Sequence, residues 1–201
     1  MHTDPRLFAS ATQRNRDAIL PILRRVLPAS GTILEVGSGS GEHAVYFAAN
    51  LPQTQWIPSD ADSAALASIS AWIQHAGASN VAPPIALNVG DTDWPIASVD
   101  AMVCINVIHY SPWESTPALF AGAARLLSPG GVLYLYGPYR RNGQHTAASN
   151  AAFDAWLKSV DPRFGVRDLE DVEQQAGLHG FCLDEVLAMP ANNFSLVLRR
   201  L

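Results

Sequence analysis

Short β-branched runs alternate along the chain with stretches whose apolar residues recur at helical spacing. This alternation predicts a parallel sheet covered by helices on both faces. Arg14 to Leu27 places Ile19, Ile22, Leu23 and Val26 on one helical face. Pro21 within it predicts a kink or two short helices. Thr32 to Val36 reads as the first strand, with a helix from Gly41 to Asn50, and Gln55 to Pro58 as the second strand. Ser63 to His75 turns Leu66, Ile69, Trp72 and Ile73 inward and stops at Gly77. Further strands are expected at Ile85 to Val89, Ala101 to Val107 and Val132 to Tyr136. A helix opening at Thr116-Pro117 and ending near Leu127 precedes the last of these.

Gly137 to Ser149 is polar and is expected to be mobile, followed by helices over Asn150 to Ser159 and Asp168 to Ala176. Phe181 to Met189 and Phe194 to Leu198 close the chain as strands separated by a connection too short for a crossover helix. The pair must therefore be antiparallel. The expected fold class is α/β, a three-layer, doubly wound, Rossmann-like sheet, mostly parallel with an antiparallel C-terminal pair.

Composition narrows the setting. No repeat or linker divides the 201 residues, so residues 1–201 are expected to form a single domain. With 48% hydrophobic and 15% charged residues, the chain has the means to bury a core rather than remain disordered. The net charge is −5 and the basic residues never run beyond pairs such as Arg140-Arg141, so nucleic acid is not expected as a partner. The opening MHTDPRLFAS lacks an apolar signal core, and no segment reaches about 18 unbroken apolar residues. A cytoplasmic protein with no membrane partner is the expectation. Cys104 and Cys182 sit among apolar residues and are expected to be buried thiols, and no Cys/His spacing suggests a metal.

The stretch ILEVGSGSGEH carries the chemistry. A strand ends in Gly37, Gly39 and Gly41, and a helix N-terminus with unpaired N–H groups follows. A dinucleotide fingerprint counted from Gly37 requires Gly or Ala at position 42, where this chain has Glu42. A carboxylate there would repel a pyrophosphate. No Gly-Lys-Ser/Thr follows either, so a phosphate-cradling loop is absent. The pattern E-V-G-S-G-S-G, with Ser38 between the first two glycines, instead resembles motif I of the class I S-adenosylmethionine-dependent methyltransferases.

That resemblance implies a phosphate-free ligand with a zwitterionic methionine end, a sulfonium and an adenosine, and S-adenosylhomocysteine as product. Glu35 either orients the loop or meets the ammonium through water. Asp60, 23 positions after Gly37, stands close to the roughly 20 expected of a ribose-binding acid. Asp62 is the alternative, better placed as a helix cap. After the third strand, Asn88 and Val89 fall where the resemblance puts the adenine edge. Asn88 stands where an Asp is expected, and Asp91 and Asp93 are the alternatives or plain loop acids. Asn106, after the fourth strand, lies at the lip of the same site. Of the N-terminal residues Arg14, Asn15 and Arg16, one arginine either holds the methionine carboxylate or is a solvated charge on a helix start. His43 is expected to be a local structural residue.

With LLSPGGVLY before the fifth strand, the motifs span about residues 30–137. More narrowly, QRNRDAIL, WIPSD, NVIHYSPW, YGPYRRNG and SNAAFDAWL make the chain similar to the uncharacterised family named methyltransferase-like protein 26. That implies donor binding but no particular acceptor. Methyl transfer mainly requires alignment and exclusion of water, with a base only where a proton must leave early. His109 is the first choice for a catalytic or substrate-orienting group, with Tyr110 beside it. Tyr110, Trp113 and Tyr139 either line a cage or cover core edges, Arg140 lies in the polar loop, and His145 is expected to be solvated. The leading expectation is a methyltransferase acting on a small-molecule substrate. The alternatives are a non-catalytic binding or interaction protein of this fold and a nicotinamide-dependent oxidoreductase.

Overall fold

The computed structural model describes residues 4–201, so the first three residues of the opening segment lie outside the described part. The chain divides into two compact units, one ending at Val103 and one running from Cys104 to Leu201. The first holds α1 (Ser10–Val26), β1 (Gly31–Val36), α2 (Glu42–Asn50), β2 (Thr54–Asp60), α3 (Ser63–Ala76) and β3 (Ile85–Ala86). Strand β4 (Ala101–Ile105) carries the division. After it come α4 (Ser115–Leu126), β5 (Val132–Gly137), β6 (Tyr139–Arg141), β7 (Gln144–His145), α5 (Ala148–Val160), β8 (Arg167–Asp168), α6 (Leu169–Leu178), β9 (Phe181–Met189) and β10 (Asn193–Arg200).

The fold is α/β. Seven strands take the order β3-β2-β1-β4-β5-β10-β9, and β7, β6 and β8 make a second, three-stranded sheet. Strands β1 and β2 run parallel in register from Gly31 opposite Thr54 to Val36 opposite Ser59. Strand β10 is antiparallel to β9, as the short connection requires, and also to β5. In the first unit Ile19, Leu23, Ile33, Leu34, Phe47, Trp56 and Ile69 are fully buried. Each such side chain contributes about 1.5–3 kcal/mol by leaving water. In the second, β5 is buried along its whole length, while in the edge strand β9 only Phe181 is buried and the rest alternates exposed and half-buried positions. Tyr134 carries a hydroxyl into that core, where it lies 2.6 Å from Ser195 Oγ.

Several expectations are corrected. Helix α1 begins at Ser10 and passes through Pro21 as one element. Pro21 lies on its exposed face, so water can satisfy the carbonyl that loses its N–H partner. Helix α3 buries Ala65, Ser68 and Ile69, while Leu66, Trp72 and Ile73 are only half-buried. Trp72 turns instead to the N-terminal segment, donating its indole N–H to Leu7 O at 2.9 Å beneath the Arg6 guanidinium. The third strand is two residues long, and the fourth stops at Ile105. The polar stretch after Gly137 is ordered as the β6–β7 hairpin, which β8 extends. Cys104 is buried, but Cys182 is exposed because it falls on the outward phase of β9.

Among the described residues, no helix is long and apolar enough to cross a membrane. No group of three or more His, Cys, Asp or Glu is placed to hold a metal there.

Candidate functional site

In the first unit the carboxyl ends of β1 and β2 meet at the glycine loop. Gly37, Gly39 and Gly41 all have positive φ, at 67°, 56° and 91°. Only glycine adopts such a run without strain. Gly41 has a second reason to lack a side chain, because a Cβ there would stand 2.8 Å from Ile69 Cα. A Cβ on Gly39 would meet nothing within 4 Å, so the loop is open at that point.

Asp60, the last residue of β2, ties the two strands together. One carboxylate oxygen accepts the Gly39 N–H at 2.9 Å, and the other accepts the Asp62 N–H at 3.0 Å. Each oxygen has a second lone pair, which leaves the side chain able to accept hydroxyl donors. Asp62 caps α3 by accepting the Ala64 N–H at 2.9 Å. Beneath the loop, Ser38 N–H donates to Ser59 O and the Ser59 hydroxyl donates to Glu35 O, both at 2.8 Å.

Glu35 lies inside this layer, where its Oε2 accepts the Trp56 indole N–H at 2.8 Å. Burial pushes the carboxyl up to about 7, against the hydrogen bonds from Trp56 and Ser38, which favour the charged form. The ordinary value is 4.5, so the folded chain holds this proton more tightly than the unfolded one. The resulting stabilisation is fully present below 4.5 and is lost as pH rises through about 7. It amounts to something on the order of 3 kcal/mol. Glu35→Gln is expected to flatten this slope, read from urea melts at about pH 5 and pH 8. Wild-type and variant stabilities that run parallel between those pH values would contradict the assignment.

Trp56, and the contacts that Glu42 makes, are what sequence reasoning missed. Glu42, at the first turn of α2, is buried; its Oε2 accepts the Ala9 N–H at 2.6 Å and the Ser40 hydroxyl at 3.0 Å. Ser68 relays a second tie, accepting the Leu7 N–H and donating to Ser40 O, both at 2.7 Å. The carboxylate that argues against a pyrophosphate thus also pins the N-terminal segment to the glycine loop. His43 Nε2 lies 2.8 Å from Asn15 Oδ1, and burial, with Arg16 adding like charge, pulls the ring down to about 3. Arg14 is exposed, and the Arg16 guanidinium lies 4.6 Å from the Tyr46 ring centroid.

Asn88 and Val89 follow β3 in a loop. The Asn88 side-chain oxygen accepts the Gly90 N–H at 3.0 Å, and the Asn88 side chain is exposed. One lone pair and the amide N–H₂ stay available for an adenine edge. Asp91 and Asp93 are exposed.

The acceptor candidates lie in the second unit. Asn106 follows β4 with φ of 65°, a left-handed conformation that asparagine tolerates better than most residues. Its carbonyl accepts the His109 N–H at 3.0 Å and so starts a 3-10 turn. His109 is fully buried, and its Nδ1 accepts the Arg167 N–H at 3.3 Å. Burial, reinforced by the Arg167 charge, pulls the ring down to about 3. The neutral ring therefore carries its proton on Nε2, which makes that nitrogen a donor and leaves it no lone pair for general-base work. Nε2 has no hydrogen-bond partner among the described residues. The ring packs 4.9 Å from the fully buried Tyr139 and so close to Gly137 that a Cβ there would clash with Nε2.

Arg167, which the sequence did not single out, braces this turn by donating to the carbonyls of Ile108, at 2.9 Å, and Ser111. The aromatic candidates have separate partners. Exposed Tyr110 packs on Phe153 and Trp156, while Trp113 lies under Arg167. His145 is not solvated as expected: its side chain is 25% exposed and faces Asp154.

The model of a family described as "Protein of unknown function (DUF938)" matches residues 6–200. Among solved structures, an O-methyltransferase family protein from Burkholderia thailandensis is 16% identical with a TM-score of 0.80, over 94% of this chain and 57% of its own. An O-methyltransferase family 2 protein from Planctomyces limnophilus DSM 3776, in complex with apigenin, is 17% identical with a TM-score of 0.79, over 95% and 60%. CalO1, a methyltransferase in calicheamicin biosynthesis in its SAH-bound form, is 17% identical with a TM-score of 0.74, over 95% and 55%. At these identities the likeness shows the fold, and the chain spans between 55% and 60% of the length of these three structures.

Proposed function

For a chain that belongs to the family of unknown function DUF938, which matches residues 6–200, we propose a methyltransferase that takes its methyl group from S-adenosylmethionine. The acceptor is a small molecule, and the whole chain acts as one catalytic domain in the cytoplasm. The narrower kinship with methyltransferase-like protein 26 belongs to this reading.

The observation that carries it is Asp60. Its carboxylate closes the glycine loop through the Gly39 N–H and keeps lone pairs for a ribose diol, beside a loop that is open at Gly39. In this reading Gly37, Ser38 and Gly39 let the methionine and ribose portions approach the backbone, and Asn88 and Val89 meet the adenine. Glu35 supports the loop from beneath through Trp56 rather than touching the ligand. When bound, the donor supplies an already activated methyl group. The protein then has to align the acceptor and exclude water. Glu42 disfavours a pyrophosphate, which speaks against a nicotinamide cofactor.

Calorimetry with S-adenosylmethionine and S-adenosylhomocysteine, with NADH as control, tests the proposal. Micromolar binding of both sulfur nucleosides with none of NADH is the expected result. Binding of NADH alone would favour an oxidoreductase. Absence of all binding would favour a fold turned to protein interaction.

A further inference from the structure

The β6–β7 hairpin and α5 hold a polar cluster that the donor site does not use. Arg140 and His145 are paired residues across the hairpin, so their side chains leave the same face of the small sheet. Arg140 Nε and His145 Nδ1 are both buried, and neither has a hydrogen-bond partner among the described residues. Folded proteins pair nearly all such atoms, with protein groups or with a bound molecule. Two orphans on one face of a three-residue strand and its partner mark a place where a ligand belongs.

The remaining ring nitrogen of His145 faces a carboxylate. Nε2 lies 3.5 Å from Asp154 Oδ2. Asp154 is fixed in turn by the Val166 N–H at 2.7 Å on Oδ1 and by Lys158 Nζ at 2.6 Å on Oδ2. Burial pushes the Asp154 carboxyl up, but these bonds and the Lys158 charge outweigh burial and hold it below the usual range. Gly165 closes the other side, since a Cβ there would stand 2.8 Å from Asp154 Oδ1. With an aspartate facing one imidazole nitrogen, the other is left to meet a ligand.

The local charges favour an anion. Lys158 offsets Asp154, Arg141 lies 3.0 Å from Glu170, and the Asp168 carboxylate accepts the Gly143 N–H at 2.6 Å. Among the described residues Arg140 forms no ion pair, and its charge helps, after burial, to pull Arg167 below its ordinary value. An unmatched guanidinium beside an oriented imidazole is suited to a planar oxyanion, which a guanidinium fork can grip through two parallel bonds.

We propose that Arg140, His145 and Asp154 form a binding site for the oxyanion of a small acidic molecule, a carboxylate or a phenolate, and that this is the acceptor class. Arg140 Nε–H and His145 Nδ1–H donate to the oxyanion, while Asp154 faces Nε2. Only the word acceptor rests on the methyltransferase reading; the anion site stands on its own geometry.

The test is an NMR titration of the full chain, following the Arg140 Nε–H and the His145 ring signals. The probes are benzoate and 4-nitrophenolate, with benzamide as the neutral match. Both signals are expected to move with at least one anion and not with benzamide. Response to benzoate alone identifies a carboxylate ligand, and response to nitrophenolate alone a phenolate. Arg140→Gln and His145→Gln should each weaken binding about tenfold or more. Their melting temperatures show whether each variant is folded, and Arg140→Lys, which keeps the charge but loses the fork, should fall between. Silent signals, equal movement with benzamide, or a folded Arg140→Gln that binds as tightly as wild type would each overturn the site. Anion binding without S-adenosylhomocysteine binding would leave the site and remove the methyltransferase reading. The reverse pattern would remove the site alone.

Discussion

Asp60→Ala is expected to weaken S-adenosylhomocysteine binding by roughly 10- to 100-fold, from the loss of about 1.5–3 kcal/mol per charge-assisted hydrogen bond. Two effects add. The ribose acceptor goes, and the Gly39 N–H loses the oxygen that holds the loop at 2.9 Å. Asp60→Asn separates them. It keeps an acceptor for one N–H while removing the charge, so its affinity should lie between alanine and wild type. Calorimetry on the three proteins reads the series directly. An alanine variant that is folded and binds as tightly as wild type would remove Asp60 from the donor site, and the proposed function with it.

Gly41→Ala is expected to cost about 2–5 kcal/mol of folding stability. A left-handed conformation costs an alanine about 1–2 kcal/mol, and forcing a methyl into a packed contact typically adds about 1–3. Here the φ is 91°, and the added carbon would stand 2.8 Å from a backbone atom, Ile69 Cα, which has no rotamer with which to retreat. For a chain of this length the loss corresponds to roughly 5–20 °C in melting temperature. Differential scanning calorimetry would show it. A drop of only about 1 °C would mean that α2 and α3 slide apart more easily than their packing suggests. Gly39→Ala is the internal comparison: it bears the φ penalty at 56° but meets nothing within 4 Å, so it should lose only the smaller part.

These two glycines divide what was legible from what was not. The need for positive φ followed from the motif itself, because three glycines at alternate positions after an apolar strand have few other uses. That Gly41, unlike Gly39, is pressed against α3 required the packing of two helices. Asp60 was likewise found by counting from Gly37, since the length of the intervening helix fixes where the next strand ends. Glu35 and Trp56 show the opposite case. The pleat puts alternate side chains on one face of each strand, but only the register that sets Ile33 opposite Trp56 and Glu35 opposite Pro58 brings indole and carboxylate within reach.

The chain's own alternation of apolar runs and helical faces determined the α/β class, the antiparallel closing pair and the glycine loop with its acid. These are local properties, set by periodicity, by glycine's backbone freedom and by connection length. The tertiary structure alone decided which polar atoms are buried and what they meet. It took Pro21 without breaking a helix, ordered the stretch after Gly137 into a hairpin, fixed His109 as a donor under Arg167 and set His145 against Asp154. Burial and partnership depend on residues tens of positions apart, and no local pattern encodes the low-dielectric contacts that set the charge of those side chains.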